Sequence, residues 1–316
     1  KCGIRFHITK QAFHDSKLRF DQCHCQRTTK SSQELEILYY IKKLLPNYDV
    51  RSGNRTELKS PYSNYAKLEL DIFIPDLNLA IEYDGIYTHS EKMGKTKNYH
   101  LTKRKLCEEK GIKLVQIFED EYLHSPEIVK QRLKHLIGLN YENIIYARKC
   151  EVKELTSKEA NNFLRYNHIQ KTGRSNIRYG LFYQNELISV MTFSLGNISR
   201  KVKDWEINRF CTKLGFNIPG GASKLFKKFI REYNPKKVIT YSDKRWGEGT
   251  FYKNLGFEFI KNTPPNYWYI DKDKRISRFA LRKPKDTNLT EFELRKQQGW
   301  NRIWDCGNTK WEWRVG

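Results

Sequence analysis

No apolar run in this sequence approaches the length a membrane span requires, and no basic amphipathic segment suits an anionic membrane surface. No secretory leader is recognisable either. These absences point to a soluble chain in a reducing, cytoplasmic compartment. Cysteine is sparse, with seven in the chain, and Cys107, Cys150, Cys211 and Cys306 stand isolated, as core or incidental thiols do. Acidic residues are the minority: 36 Asp plus Glu against 59 Lys plus Arg, for a formal net charge of +23. The basic residues run along nearly the whole chain, which favours a polyanionic partner. Aromatic residues are plentiful, with 19 Tyr, 17 Phe and 7 Trp. Cations for phosphates together with rings for stacking make double-stranded DNA the expected partner. The sequence opens on Lys1, and a preceding segment is expected.

At 316 residues the chain can hold two domains, each with its own core. The first half centres on residues 69–89. Residues 70–74 and 79–83 read as two short strands around a turn begun by Pro75-Asp76. Asp71, Glu82, Asp84 and His89 interrupt or follow these strands. Carboxylates in such positions are costly to bury unless paired or holding a metal. Their grouping points to a divalent-cation site, against the simpler reading of a solvated strand edge.

Around that hairpin the elements follow a regular order. Residues 1–30 are too short for a core and need a staple. Cys2, Cys23 and Cys25, with His7, His14 or His24, could supply a tetrahedral zinc site. Ser31 and Glu34 have capping-box spacing and open a helix whose apolar stripe runs through Leu35, Leu38, Ile41, Leu44 and Leu45. A helix over 99–110 carries His100, Lys103, Arg104 and Lys105 on a basic surface and stops at Gly111. A buried strand over 112–118 and a helix over 126–137 close an α/β unit, with Glu121 on the surface.

The Ser-x-x-Glu helix, Glu-Leu-Asp-Ile-x-Ile-Pro, Ala-Ile-Glu-Tyr-Asp-Gly-x-Tyr-x-His-Ser, Tyr-His-x-x-Lys and Gly-Ile-x-Leu-x-x-Ile-Phe-Glu-Asp-Glu recur in order over about residues 31–140. This half resembles the very-short-patch-repair-like branch of the PD-(D/E)xK nucleases, which includes phage and intron-borne homing endonucleases of the EDxHD type. The resemblance implies a metal-dependent, site-selective DNA endonuclease in a bacterial or phage-infected cell. It implies Asp71 as central ligand, His89 as general acid/base and Glu34 facing the site from the first helix. Glu82 and Asp84 take the second-strand positions, with Asp71, Glu82 and Asp84 holding Mg²⁺ or Mn²⁺. Asp84 stands where that superfamily keeps a lysine, so His100 or Lys103 would supply the missing group.

The second half has its own α/β pattern. A helix over 157–167, a hairpin of 179–183 and 187–195, a strand over 205–213, a helix over 224–233 and a strand over 237–241 follow one another. Phe163-Leu164-x-x-x-His168, Pro219-Gly220-Gly221-Ala222 and Phe251-Tyr252-x-x-Leu255-Gly256-Phe257 make residues 150–283 similar to the GNAT acyltransferases. That resemblance implies that Gly220, Gly221 and Ala222 meet the pyrophosphate of acetyl-CoA, as helix starts bind anions generally. A phage enzyme that modifies DNA adenine has a similar domain with Arg-Trp-x-x-Gly, matched here at Arg245-Trp246-Gly247-Glu248-Gly249. The domain either transfers an acyl group to DNA bases or reads DNA as a reused scaffold. The second is preferred, because the nuclease-like half carries the fuller site.

Strands over 267–270 and 279–282 are expected to close this domain. A tail over 284–316 is expected to form a helix (289–298) and a hairpin of 300–305 with 309–314. Trp300, Trp304, Trp311 and Trp313 with Arg302, Lys310 and Arg314 give that tail an aromatic, basic face toward DNA. The resulting division is a zinc-binding segment (1–30), a nuclease unit (31–145), a GNAT-like unit (146–283) and the tail. The principal reading is an endonuclease using Mg²⁺ or Mn²⁺ and Zn²⁺. Its rivals are a DNA base acyltransferase using acetyl-CoA and a non-enzymatic DNA-binding protein.

Overall fold

A computed structural model describes residues 30–61, 66–139, 143–197, 202–247, 249–284 and 286–315. The zinc ligands expected at Cys2, Cys23 and Cys25 lie outside them. Helix α1 (Ser32–Leu44) starts as its sequence predicts: the Ser31 hydroxyl accepts from the Glu34 amide at 3.0 Å. Its buried stripe is Ile37, Leu38 and Ile41. Four strands follow, β1 (Arg51–Lys59), β2 (Lys67–Ile74), β3 (Leu79–Asp84) and β4 (Lys113–Phe118), in the spatial order β1-β2-β3-β4. The turn between β2 and β3 needs left-handed backbone, which Asn78 supplies at φ 45°. β3 and β4 are parallel, so the chain crosses between them through α2 (Tyr99–Glu109).

β3 is buried throughout. Strand alternation sends Leu79, Ile81 and Tyr83 to a core shared with α1, α3 (Glu119–His124) and α4 (Pro126–Leu136). Ala80 joins a second core on the opposite face with Phe73, Leu114 and Cys107 of α2. The α2 face was expected to be solvated. Instead His100, Lys103, Arg104 and Cys107, at i, i+3, i+4 and i+7, are buried against the sheet.

The second sheet has seven strands in the order β12-β16-β11-β9-β8-β7-β6. They are β6 (Glu151–Glu154), β7 (Ile177–Tyr183), β8 (Glu186–Asn197), β9 (Val202–Thr212), β11 (Lys237–Asp243), β12 (Glu258–Asn262) and β16 (Asn308–Arg314), with β5 (Asn143–Ile144) and β10 (Phe216–Asn217) pairing apart. Helix α5 (Ser157–Asn167), opened by a Thr156–Glu159 capping box, packs Ala160, Phe163 and Leu164 against Val190. Helix α6 (Gly221–Tyr233) buries Leu225, Phe226 and Phe229 in another core cluster with Phe193 and Val238. β9 and β11 run parallel, but their pairing covers only Trp205–Ile207 against Val238–Thr240. Beyond it the two strands part.

The end of the chain differs from its sequence reading. β16 does not pair with residues 300–305; it lies between β11 and β12, with Trp311 2% exposed in the core. Residues 263–307 are thus an excursion between two neighbouring strands. They carry β13 (Tyr267–Asp271), β14 (Lys274–Ser277), α7 (Glu291–Gln297) and β15 (Asn301–Trp304). Residues 279–282, expected as a strand, fall mostly in the 3₁₀ turn Arg278–Leu281. The excursion grips the first unit. Asn301 donates to the Ser90 hydroxyl, Arg302 binds Glu91 through two nitrogens, and Ile303 bridges Ser90.

A second clasp has a buried centre, Arg245 and Glu121. Arg245 forks onto Glu121 at 2.9 and 2.8 Å and reaches Asp243 at 2.6 Å. Arg275 binds Asp120 and Glu121 from the other side. The Phe118 ring lies under both guanidinium groups, at 4.4 and 4.0 Å. Trp246 inserts into the core of the first unit. Glu121, expected on the surface, is 8% exposed. The Arg245-Trp246 pair, matched to a DNA-modifying motif, joins the two units instead. No helix among the described residues is long and apolar enough to cross a membrane.

Candidate functional site

Two places gather chemistry: the face between β2–β3 and α2, and a cleft along α6. At the first, Glu82 and Asp84 leave β3 on the same side as Ala80, toward α2. Glu82 forms an ion pair with Lys103 and accepts the Asp71 backbone N–H at 3.1 Å. The Asp71 carboxylate accepts the Tyr83 backbone N–H at 2.8 Å. Burial pushes the Asp71 carboxyl up to about 6, against the pull of Lys103. Burial, and then the Asp71 charge, push Glu82 up to about 8. Burial acts against the Lys103 ammonium, but Glu82 and Asp71 keep it protonated above its ordinary range. Burial and mutual repulsion thus both favour a proton on the carboxyl pair, while the Lys103 ammonium offsets their charge. Glu34 pairs with Lys30 at 2.6 Å, and its charge contributes to the rise at Asp71.

Asp84 belongs to a different group. His89 Nδ1 lies 3.0 Å and His100 Nε2 3.6 Å from its Oδ1, and the two imidazoles stack with centroids 5.3 Å apart. Burial opposes the Asp84 charge, yet the two imidazoles hold its carboxyl well below the usual range. His89 Nδ1 also lies 3.1 Å from His100 Nε2, so the two rings meet each other as well as the carboxylate. One ligand atom from each of Asp84, His89 and His100 falls within 4.8 Å of the others, spacing that could hold a cation.

The metal expectation is corrected here. Mg²⁺ was assigned to three carboxylates, but Glu82 is tied to Lys103 and Asp71 to a backbone amide. Asp84 alone of the three lies in the close group, beside two nitrogens, and that is not the all-oxygen set Mg²⁺ or Mn²⁺ favours. Sequence reasoning missed Arg104, whose guanidinium donates to the backbone oxygens of Leu114 and Lys244 from the same buried stripe of α2. The signal was present: a charged residue one position from Lys103 faces the same core at helical spacing.

The second place lies beside Gly220, Gly221 and Ala222. Gly220 caps α6 at φ 78°, and a Cβ on Gly221 would meet Ile218 at 3.0 Å, so the tight turn requires both glycines. Gly221 and Ala222 are buried in the first helical turn. A cleft of about 720 Å³ runs from Gly220 along α6. Lys224, Lys227 and Arg231 line it from one helical face, and Arg148 from the linker before β6. Phe226, Ile230, Leu255 and Trp313 make its apolar floor, and among the described residues no Asp or Glu lines it. Lys224 also donates to the carbonyls of Ala147 and Cys150, at 2.9 and 2.5 Å. His168, singled out in the sequence, ends α5; burial, then Arg209 and Arg132, push its imidazole well below the ordinary value.

No family model and no curated protein matches the sequence. Solved structures do resemble part of it. An acetyltransferase of Bacillus subtilis in complex with CoA shares 10% of residues over 53% of this chain and 100% of its own, at a TM-score of 0.33. A GNAT family acetyltransferase of Elizabethkingia anophelis with acetyl-CoA bound shares 14% over 53% and 99%, at 0.33. An IAA acetyltransferase of Bacillus cereus shares 10% over 52% and 99%, at 0.31. The region of likeness covers about half of this chain. The structures named are acetyltransferases, whereas a phosphodiester hydrolase was expected. The first two are complexes with CoA or acetyl-CoA, whereas Mg²⁺, Mn²⁺ or Zn²⁺ was expected as cofactor.

Proposed function

We propose that this chain is an acyltransferase that takes an acyl-CoA in the α6 cleft and acts on DNA bases. The observation that carries this reading is the lining of the cleft. Lys227, Arg231 and Arg148, with the start of α6 at Gly220, are a donor set for pyrophosphate and phosphate oxygens. The floor of Phe226, Ile230, Leu255 and Trp313 suits the less polar remainder of such a molecule. When bound, an acyl-CoA supplies an activated thioester carbonyl. The chain itself supplies anion binding, an apolar wall that excludes water, and a positive charge that draws DNA.

One observation favours a second reading. The linker lies close over the helix start, with the Ala147 Cβ 3.5 Å from where a Gly220 Cβ would stand. Ala147 and Cys150 also engage the Lys224 ammonium. A helix start covered in this way suits a DNA-binding scaffold in which Lys227 and Arg231 hold backbone phosphates. Calorimetric titration with acetyl-CoA separates the two. Saturable binding that weakens at least tenfold in Lys227→Glu/Arg231→Glu supports the acyltransferase. Absence of binding at millimolar acetyl-CoA, or an unchanged affinity in the double variant, overturns it. Mass spectrometry of nucleosides from DNA incubated with protein and acetyl-CoA then tests transfer.

A further inference from the structure

Six contacts join seven side chains into one alternating row of cations and rings on the excursion and the loop it grips. Lys97 stands 5.6 Å from the Trp304 ring, and Arg302 5.1 Å from that ring and 4.9 Å from Tyr267. Arg278 stands 5.1 Å from Tyr267 and 5.6 Å from Phe279, and Arg282 4.8 Å from Phe279. The row crosses from the loop before α2 to the segment between β14 and α7. It is held together where Asn301 and Arg302 bind Ser90 and Glu91. Phe279 is 56% exposed. Arg302 is matched by Glu91, whereas Lys97 and Arg278 form no ion pair among the described residues.

We infer that this row is a track for single-stranded nucleic acid, with phosphates on Lys97, Arg278 and Arg282 and a base stacked on Phe279. The inference rests on the nucleic-acid partner of the preceding reading, and adds where that partner lies and in what form. Charge alone would suit any polyanion. The ring decides: the exposed Phe279, flanked by the Arg278 and Arg282 guanidinium groups, matches an unpaired base, whose face a duplex keeps stacked. A lipid surface would favour rings segregated from the cations, whereas here they interleave.

The test is fluorescence anisotropy of a labelled thymidine oligonucleotide with the full chain at several salt concentrations. Phe279→Ala removes an exposed ring and leaves the fold intact; it should weaken binding about 5- to 100-fold. Arg278→Ala/Arg282→Ala should lower the salt slope by about 0.7 for each cation removed. An abasic oligonucleotide should bind wild type and Phe279→Ala alike. Affinity of Phe279→Ala within twofold of wild type overturns the track, as does preference for phosphatidylserine vesicles or for duplex over single strand. Acetyl-CoA titration of the same variants should be unchanged, so failure of the track and failure of the cleft read out separately.

Discussion

Replacing Arg245 by alanine tests the buried clasp that makes one body of the two units. Arg245 is 2% exposed, forks onto Glu121, binds Asp243 and covers the Phe118 ring. Removing it leaves Asp243 without that partner and Glu121 with Arg275 alone. Breaking a buried pair from one side costs about 3–5 kcal/mol. Burial would raise Glu121, yet Arg245 and then Arg275 hold its carboxyl at about 2 against an ordinary 4.5, and only the Arg245 share of that effect is lost in the variant. The melting temperature should fall by roughly 10 °C. Thermal and urea unfolding followed by tryptophan fluorescence would measure the loss. Trp246 lies within the first unit's core and reports the clasp directly. The sign with pH is also set. A lowered carboxyl contributes stability above its unfolded value near 4.5 and loses it as pH falls toward 2. The deficit of Arg245→Ala should therefore be largest near pH 7 and shrink on acidification. As a control, Arg314→Ala breaks a pair whose arginine is 71% exposed and should cost under about 1 kcal/mol. A loss under 1 kcal/mol in Arg245→Ala, or a deficit that grows on acidification, would refute the assignment.

Two further predictions follow from burial and backbone. Because burial raises Glu82 to about 8, its contribution is complete below about 4.5 and lost as pH rises through 8; that of Asp71, raised to about 6, is complete below about 3.8 and lost through 6. Glu82→Gln should flatten melting temperature against pH between 5 and 9, and an unchanged slope would contradict the raised Glu82 carboxyl. Gly307 has φ 80°, and an added Cβ would stand 2.3 Å from the Thr263 carbonyl oxygen; Gly94 has φ 78° but open space around it. Gly307→Ala should destabilise by more than about 2 kcal/mol and clearly more than Gly94→Ala, which carries the backbone cost alone at about 1–2 kcal/mol; equal losses in chemical denaturation would refute a steric cause.

The local pattern of this sequence determined its elements. Apolar spacing and a serine cap defined α1, and alternation around Pro75-Asp76 defined the β2–β3 hairpin. The same alternation placed Glu82 and Asp84 on one face of β3, because side chains in a strand repeat every two residues. The glycines before α6 were legible too, since a left-handed residue there leaves few alternatives. Tertiary structure alone decided which partners these residues meet. His100, Lys103 and Arg104 on α2 read as a basic surface until a sheet lay against them. Trp311 belonged to an apparent tail hairpin, yet β16 enters between β11 and β12, and nothing local specifies which strand a segment will join. Arg245 and Trp246 read as part of a chemical motif, and the fold uses them to join two units over a sequence separation of 124 residues from Arg245 to Glu121. Periodicity reports which face of an element is buried. It carries no record of what that face is buried against, and at this site burial and neighbours push the Asp71 and Glu82 carboxyls up and the Asp84 carboxyl down.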